Sequence, residues 1–317
     1  MMSLTTKQIL ALQSLKGFGK VTINRIIESS VKWSSIYDEK SFYEFLQAYF
    51  TRNKVRATCP TFAEFARAID YAENVLSKSS EKGISVFSKF DSSYPPQLLE
   101  TVDETGKSDI PLVIHCRGNL EALKMPGIAI IGTREPTESG SKAATYFASQ
   151  FAKLGFNIVS GLAVGCDSYA HMGALQSDGV TTAVLAGGLD LIYPKENQGL
   201  SDMILSNKGL LLSENPIGVV TNKFNLVARD RIQSALSRAT VVIQTSVKGG
   251  TMHAANTTLL AGKRLWVVDY KNPNESNCDG NHLLLTKGAR SISSKNLEDE
   301  YKSLLNEIRR TTCTPKV

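Results

Sequence analysis

The sequence predicts an α/β protein: a parallel sheet with helices on both faces, preceded by a small all-helical domain. Between Ile128 and Val268 the chain runs six strand-like apolar stretches, with helix-like segments separating most of them. The first of these, Ile128–Ile131, is continuously apolar rather than alternating, as strands covered on both faces require. Upstream, to about residue 80, apolar residues recur instead at helical spacing.

In chain order, Ile9, Leu12 and Leu15 mark the first helical face. Phe42, Phe45, Leu46, Tyr49 and Phe50 mark another, and Phe62, Phe65, Ala66, Ile69, Val75 and Leu76 a further one. Leu15–Thr22, with Gly17 and Gly19, has the form of a helix-hairpin-helix turn, in which two glycines free backbone N–H groups to meet a phosphate. The plainer reading is a simple helix–helix turn. Ser77–Ser80 reads as polar punctuation closing a helical domain at 1–80. Residues 81 to about 125 lead into the sheet: two prolines make Tyr94–Leu99 extended and irregular, and Leu112–His115 is strand-like.

The strand Ile128–Ile131 follows, then a helix from about Gly140. That helix places Ala143, Tyr146, Phe147, Phe151 and Leu154 on one face and ends at Gly155. Further strands are expected near 156–160, 181–186, 209–213, 240–245 and 264–268. Together these make a doubly wound domain over 81–295. Asn296–Arg310 reads as a charged amphipathic helix within a C-terminal segment, 296–317, with no winged-helix domain.

The bulk properties narrow the function. Five dispersed cysteines with no C-x-x-C pair point to a reducing cytoplasm and away from a disulfide framework or zinc site. Four histidines without close partner spacing add no metal centre, and no cofactor is expected. No apolar run reaches membrane-spanning length. A net charge of +6 favours a polyanionic partner without identifying one.

Each strand-like stretch ends in a short polar or glycine-bearing loop, and in an open parallel sheet such loops line the ligand-binding edge. Gly132-Thr133-Arg134 offers a sharp turn, a hydroxyl and a guanidinium that can fork onto phosphate; the bland alternative is a turn with a solvated arginine. It is not a dinucleotide fingerprint, because no G-x-G-x-x-G follows the strand. Ser160-Gly161 begins a small-residue loop running to His171, in which Asp167 is expected to cap the following helix. Asp167 and His171 share a helix face and read as a packing pair rather than a catalytic one; Cys166 reads as a small hydrophobe.

Gly187-Gly188 leaves room for a ligand, Lys195 follows Pro194, and Asn197 is expected to cap the next helix. Arg229-Asp230-Arg231 reads as the start of a helix, where two arginines are electrostatically unhelpful and imply a bound anion; the alternative is a salt bridge to Glu214 or Asp230. Lys248-Gly249-Gly250-Thr251 leads into a helix as an anion nest, but is not a P-loop, since the lysine precedes the glycines. No nucleophile–base pair comes into register among these loops.

Five motifs in order carry a resemblance. They are Pro111–Ile114 with Gly118-Asn119, Gly132–Arg134, Ser160–His171, Gly187–Asp190 with Tyr193–Asn197, and Leu212–Pro216. Over roughly residues 90 to 265 the chain resembles the DNA processing protein A (DprA/Smf) family. The resemblance implies an extended Rossmann-like domain that binds single-stranded DNA, forms a homodimer and helps load a RecA-type recombinase, as in natural transformation. It implies no enzymatic activity. The implied DNA site uses Gly132, Thr133, Arg134, Ser160, Gly161, Lys195, Asn197, Arg229, Arg231, Gly249, Gly250 and Thr251, with Phe224 or Tyr193 free to stack on a base. The chain departs from the family pattern at Asp230, where the usual residue is asparagine, and at Gly249–Thr251, where Ser-Gly-Ser is usual.

Two other readings compete. A related nucleotide-monophosphate hydrolase family needs a glutamate in the helix after its glycine loop, and Thr251–Asn256 has none. A sensor of small nucleotides would use the same strand-end edge.

Overall fold

Three of the first four helices begin at a capping box written in the sequence. Thr5, Asp38 and Thr61 each accept a hydrogen bond from the amide three residues on, and that residue's side chain answers the cap's own backbone. They start α1 (Thr6–Ser14), α3 (Glu39–Arg52) and α4 (Phe62–Glu81). Between the first two, α2 (Lys20–Glu28) begins at Gly19 without a side-chain cap, after a turn at Gly17 with φ of +83°. The structure, a computed structural model, describes residues 4–29, 38–270, 276 and 278–313.

The apolar faces of these helices form one cluster, including Ile9, Leu12, Ile23, Ile26, Phe42, Leu46, Phe65 and Ile69. That cluster takes in Val113 of the sheet and Leu112 just before it, with Val86 packed alongside, so the helical region packs directly on the strands. The expected punctuation at Ser77–Ser80 is instead the last turn of α4. The helix runs on because the capping box sets its start and the stop comes only at Gly83, with φ of +66°, whose amide bonds back to Ser80.

The sheet has nine strands among the described residues: β1 (Ile84–Ser88), β2 (Val113–Gly118), β3 (Gly127–Ile131), β4 (Asn157–Ser160), β5 (Thr181–Leu185), β6 (Leu210–Ser213), β7 (Ser237–Val242), β8 (Arg264–Val268) and β9 (Arg290–Ile292). Their order is β1-β2-β6-β5-β4-β3-β7-β8-β9. From β6 to β9 every pairing is parallel, whereas β2 joins β6 antiparallel and β1 joins β2 antiparallel. The six predicted parallel strands are all present; β1, β9 and the antiparallel setting of β2 are additions.

The remaining helices are α5 (Glu138–Lys153), α6 (Cys166–Leu175), α7 (Gln198–Ser206), α8 (Lys223–Leu236), α9 (Thr251–Leu260), α10 (Asp279–Thr286) and α11 (Leu297–Cys313). One face of the central strands, including Ile128, Ile130, Ile158 and Val241, packs on α5, α6 and α11. The opposite face packs Val159 and Val184 on Ile232 of α8, and Val242 and Val267 on α9 and α10. Burial on both faces explains why the strands read as unbroken apolar runs. The buried stripe of α5 is Ala144, Phe147, Ala148, Phe151 and Ala152, while Tyr146 and Leu154, expected on it, are exposed.

A candidate nucleic-acid interface

The order of connection reverses between β3 and β7: from β3 the chain winds outward through β4, β5 and β6, and from β7 it winds the other way. Such a switch point opens a crevice at the carboxyl ends of the strands. A cavity of about 450 Å³ lies there.

Its first wall is the turn after β3. Gly132 sits against α6, where any side chain would meet Cys166 Sγ at 2.5 Å. Thr133 N donates to Gln244 O at 2.7 Å, and Thr133 O accepts from Cys166 N at 3.1 Å, which fixes the turn between β7 and α6. Arg134 is thereby set at the cavity with its side chain exposed, and it forms no ion pair among the described residues.

The loop after β4 is strained and braced. Leu162 has φ of +58°, a left-handed conformation costly for a branched side chain. Its buried side chain, and a 2.8 Å hydrogen bond from Asn197 Nδ2 to Leu162 O, hold it there. On either side, Gly161 N and Ala163 N donate to Asp167 Oδ2 at 3.1 and 3.3 Å. Asp167 therefore braces the loop rather than capping α6, whose cap position is Gly165. His171 does not pair with it: His171 Nδ1 lies 2.7 Å from Thr181 Oγ1, and burial pushes the ring down to about 3. Cys166 is buried, which pushes its thiol up to about 12, and it packs as a small hydrophobe.

The third wall is the loop from Thr245 into α9. Asn281, buried in α10, accepts from Thr245 N at 2.8 Å and donates to Ile243 O and Val268 O. Gly249, Gly250 and Thr251 line the cavity, with Gly250 at the cap position of α9 and no side chain capping it. The amides of Gly249, Met252 and His253 already donate to Ser246 O, Gly249 O and Gly250 O, so it is the Gly250–Thr251 amides and the positive end of the helix dipole that suit this wall to an anion.

The fourth wall is α8, and here the expectation is corrected. The helix starts at Lys223, capped by Asn222 Oδ1, so Arg229 and Arg231 lie in its middle, not at its start. Arg229 lines the cavity but is buried, donating to Gly161 O and Val184 O at 2.6 Å and to Asp230 Oδ1 at 2.9 Å. Arg231 turns away into an ion-pair cluster: it bonds Asp109 and Glu214, and Lys20 of α2 bonds the same two carboxylates at 2.9 and 2.8 Å. The competing salt-bridge reading is what the chain adopts at both arginines.

Burial, reinforced by the nearby Asp167 carboxylate, pushes the Asp230 carboxyl up to about 6, against the opposing pull of Arg229. Lys223, which sequence reasoning passed over, lines the cavity with an exposed side chain. Its place just after a capping asparagine was the available signal. Beside it Phe224 is 86% exposed. Tyr193 and Pro194 line a smaller recess with Arg134, Gly161 and Arg229, and exposed Lys195 follows them.

Gly132, Thr133, Arg134, Arg229 and Gly249–Thr251 thus share one cavity, with Gly161 at the adjoining recess and Lys195 and Phe224 beside its lining residues. Three expected contacts belong to the frame instead. Ser160 Oγ is buried and donates to Ile130 O; Asn197 Nδ2 is engaged by Leu162 O and Ser168 Oγ, and its side chain caps no helix; Arg231 is engaged as above.

The sequence matches the family model for DNA recombination-mediator protein A over residues 85–304. The chain belongs to that family. DNA processing protein DprA of Streptococcus pneumoniae is 36% identical over 219 residues, covering 69% of this chain and 74% of the relative. DprA of Bacillus subtilis is 30% identical over 285 residues, covering 89% and 92%. Against protein Smf of Escherichia coli, 34% identical, the chain spans half of the relative's length. The crystal structure of S. pneumoniae DprA superposes with a TM-score of 0.72 at 28% identity, covering 92% of this chain and 96% of that one. A structure of Helicobacter pylori DNA processing protein A, described for its single-stranded DNA binding mode, gives 0.59 at 30% identity and covers 71% and 96%. The fold is Rossmann-like, as the five motifs implied.

Proposed function

We propose that the cavity at the β3/β7 switch point binds single-stranded DNA, and that the chain acts by binding, as a recombination mediator. In this reading it works in the cytoplasm as a homodimer and hands the covered strand to a RecA-type recombinase. The observation that carries it is the meeting of exposed Arg134 and Lys223 with the amide end of α9 in one cavity, in a chain similar to a protein described for single-strand binding. The backbone donors and cations address phosphate, so sequence preference is slight. Exposed Phe224 and Tyr193 supply faces on which any base can stack.

A titration with single-stranded oligonucleotides at two ionic strengths tests this. Arg134, Lys195, Lys223 and Lys248, exposed cations in or beside the cavity lining, predict a log–log salt slope of about −3, at about 0.7 per phosphate. A slope near zero, equal affinity for duplex, or a mononucleotide binding tightly where oligonucleotides do not, overturns the reading; the last outcome restores the nucleotide sensor.

A further inference from the structure

We propose that the N-terminal helical region carries a second contact site for the sugar–phosphate backbone of the same DNA strand, in the groove between the α1–α2 turn and α4. This rests on the single-strand reading above and extends it to a part of the chain outside the matched family region, which begins at residue 85.

The groove encloses about 870 Å³. Lys16, Arg56 and Arg67 line it, all three exposed and none in an ion pair among the described residues. The one carboxylate among the lining residues, Glu64, is engaged at 2.8 Å with both the amide and the hydroxyl of Thr61 as part of the α4 capping box. Three cations therefore face one carboxylate, which the bonds from Thr61 and the nearby Arg67 hold ionised, and the lining stays net positive. Arg52 and Lys54 add exposed positive charge on the same 51–61 segment.

The turn is built to present backbone. Gly17 holds φ of +83°, and a side chain there would press on Ala57 at 3.3 Å, so the turn and the basic segment touch. Gly19, at the start of α2, faces open space with no side chain capping the helix. Phe18 is buried and packs against Phe50, ring centroids 5.6 Å apart, which anchors the turn. Tyr71 is 42% exposed on the α4 side and offers a ring face. Unpaired bases stack on such faces; the bases of a duplex are already stacked on each other.

The position of the turn links the two sites. Lys20, one residue beyond Gly19, bonds Glu214 at 2.8 Å, and Glu214 follows β6 at the same carboxyl edge as the cavity. Between β3 and β6 lie three strand spacings, or about 14 Å. A flexible polyanion leaving the cavity along that edge reaches the turn; a mononucleotide does not.

The test uses the full chain and K16A/R56A/R67A, titrated with a short oligonucleotide that fills only the cavity and with a long single strand. Expected is unchanged affinity for the short strand and a weaker salt dependence for the long one. Losing three contacts means that the variant, taken from about 50 to about 200 mM salt, loses about 20-fold less long-strand affinity than wild type does. Equal salt slopes for the two proteins on the long strand overturn the proposal. An equal loss on the short strand overturns it too, and so does the same slope change on a duplex of equal length. Thermal melts accompany each titration; if the triple variant melts early, K16A and R56A are titrated singly with the same criteria. Arg134→Ala separates the two claims: short-strand affinity left unchanged by it sinks the cavity reading, whereas the groove is judged on its own slope.

Discussion

Two places along the carboxyl edge of this sheet are furnished with similar residue types and end in opposite states. At the end of β6, Arg231 and Lys20 meet Asp109 and Glu214, and every charge in the cluster has a partner within the protein. At the end of β3, Arg134 and Lys223 face a cavity with no such partner among the described residues. An arginine beside a strand-end loop is therefore not in itself an anion site. What distinguishes the two places is whether the chain supplies the counter-charge from a distant segment, as it does with Asp109.

The largest break in this comparison comes from Arg231→Ala. Removing one member of a buried ion-pair cluster costs about 3–5 kcal/mol. Chemical denaturation should show that loss, while strand affinity of the folded protein stays as it was. Arg134→Ala should do the converse: a stability change within about 0.5 kcal/mol, and a loss of about 1.5 kcal/mol in strand binding, roughly tenfold, by fluorescence anisotropy. If Arg134→Ala unfolds the chain or Arg231→Ala spares it, the contrast between the two places is wrong.

Phe224→Ala probes the stacking face beside the cavity. With 86% of the residue exposed, its truncation should leave the melting temperature alone and weaken strand binding by about 1 kcal/mol, without changing the salt slope.

The smallest effect concerns Asp230, whose carboxyl titrates near 6 in the folded chain against an ordinary value of 3.8. The folded state holds this proton more tightly than the unfolded state does. Its contribution to stability is thus most favourable in acid and declines as pH rises from about 4 through about 6. Because the group lines the cavity, its deprotonation also opposes a bound phosphate, so strand affinity should fall a few-fold as pH rises through 6. Asp230→Asn should abolish that dependence and bind more tightly at neutral pH; a pH profile parallel to wild type would count against the assignment.

The parallel strands were legible because burial on both faces demands unbroken apolar runs such as Ile128–Ile131. β1 was not: Ser85 and Ser88 interrupt its apolar residues, and only its two ends are buried. β9 has three residues, two of them exposed. The stripe of α5 was read slightly out of register, because alanines at 144, 148 and 152, not the larger Tyr146 and Leu154, meet the core. At the site, Gly132–Arg134 and Gly249–Thr251 were readable because a local strand–turn–helix pattern fixes where they point. For Arg231 the salt bridge to Glu214 was open as an alternative, but its other partner, Asp109, lies 122 residues away and only the folded chain brings them together.

Gly161 and Arg229 illustrate a constraint of another kind. The guanidinium lies over the glycine so closely that a methyl group at position 161 would occupy its place. A substitution at either position therefore changes what is permissible at the other. Swapping Gly161 for alanine should be harmful with arginine present and add little further harm once residue 229 is shortened, so the two changes should be strongly non-additive in a double-mutant cycle.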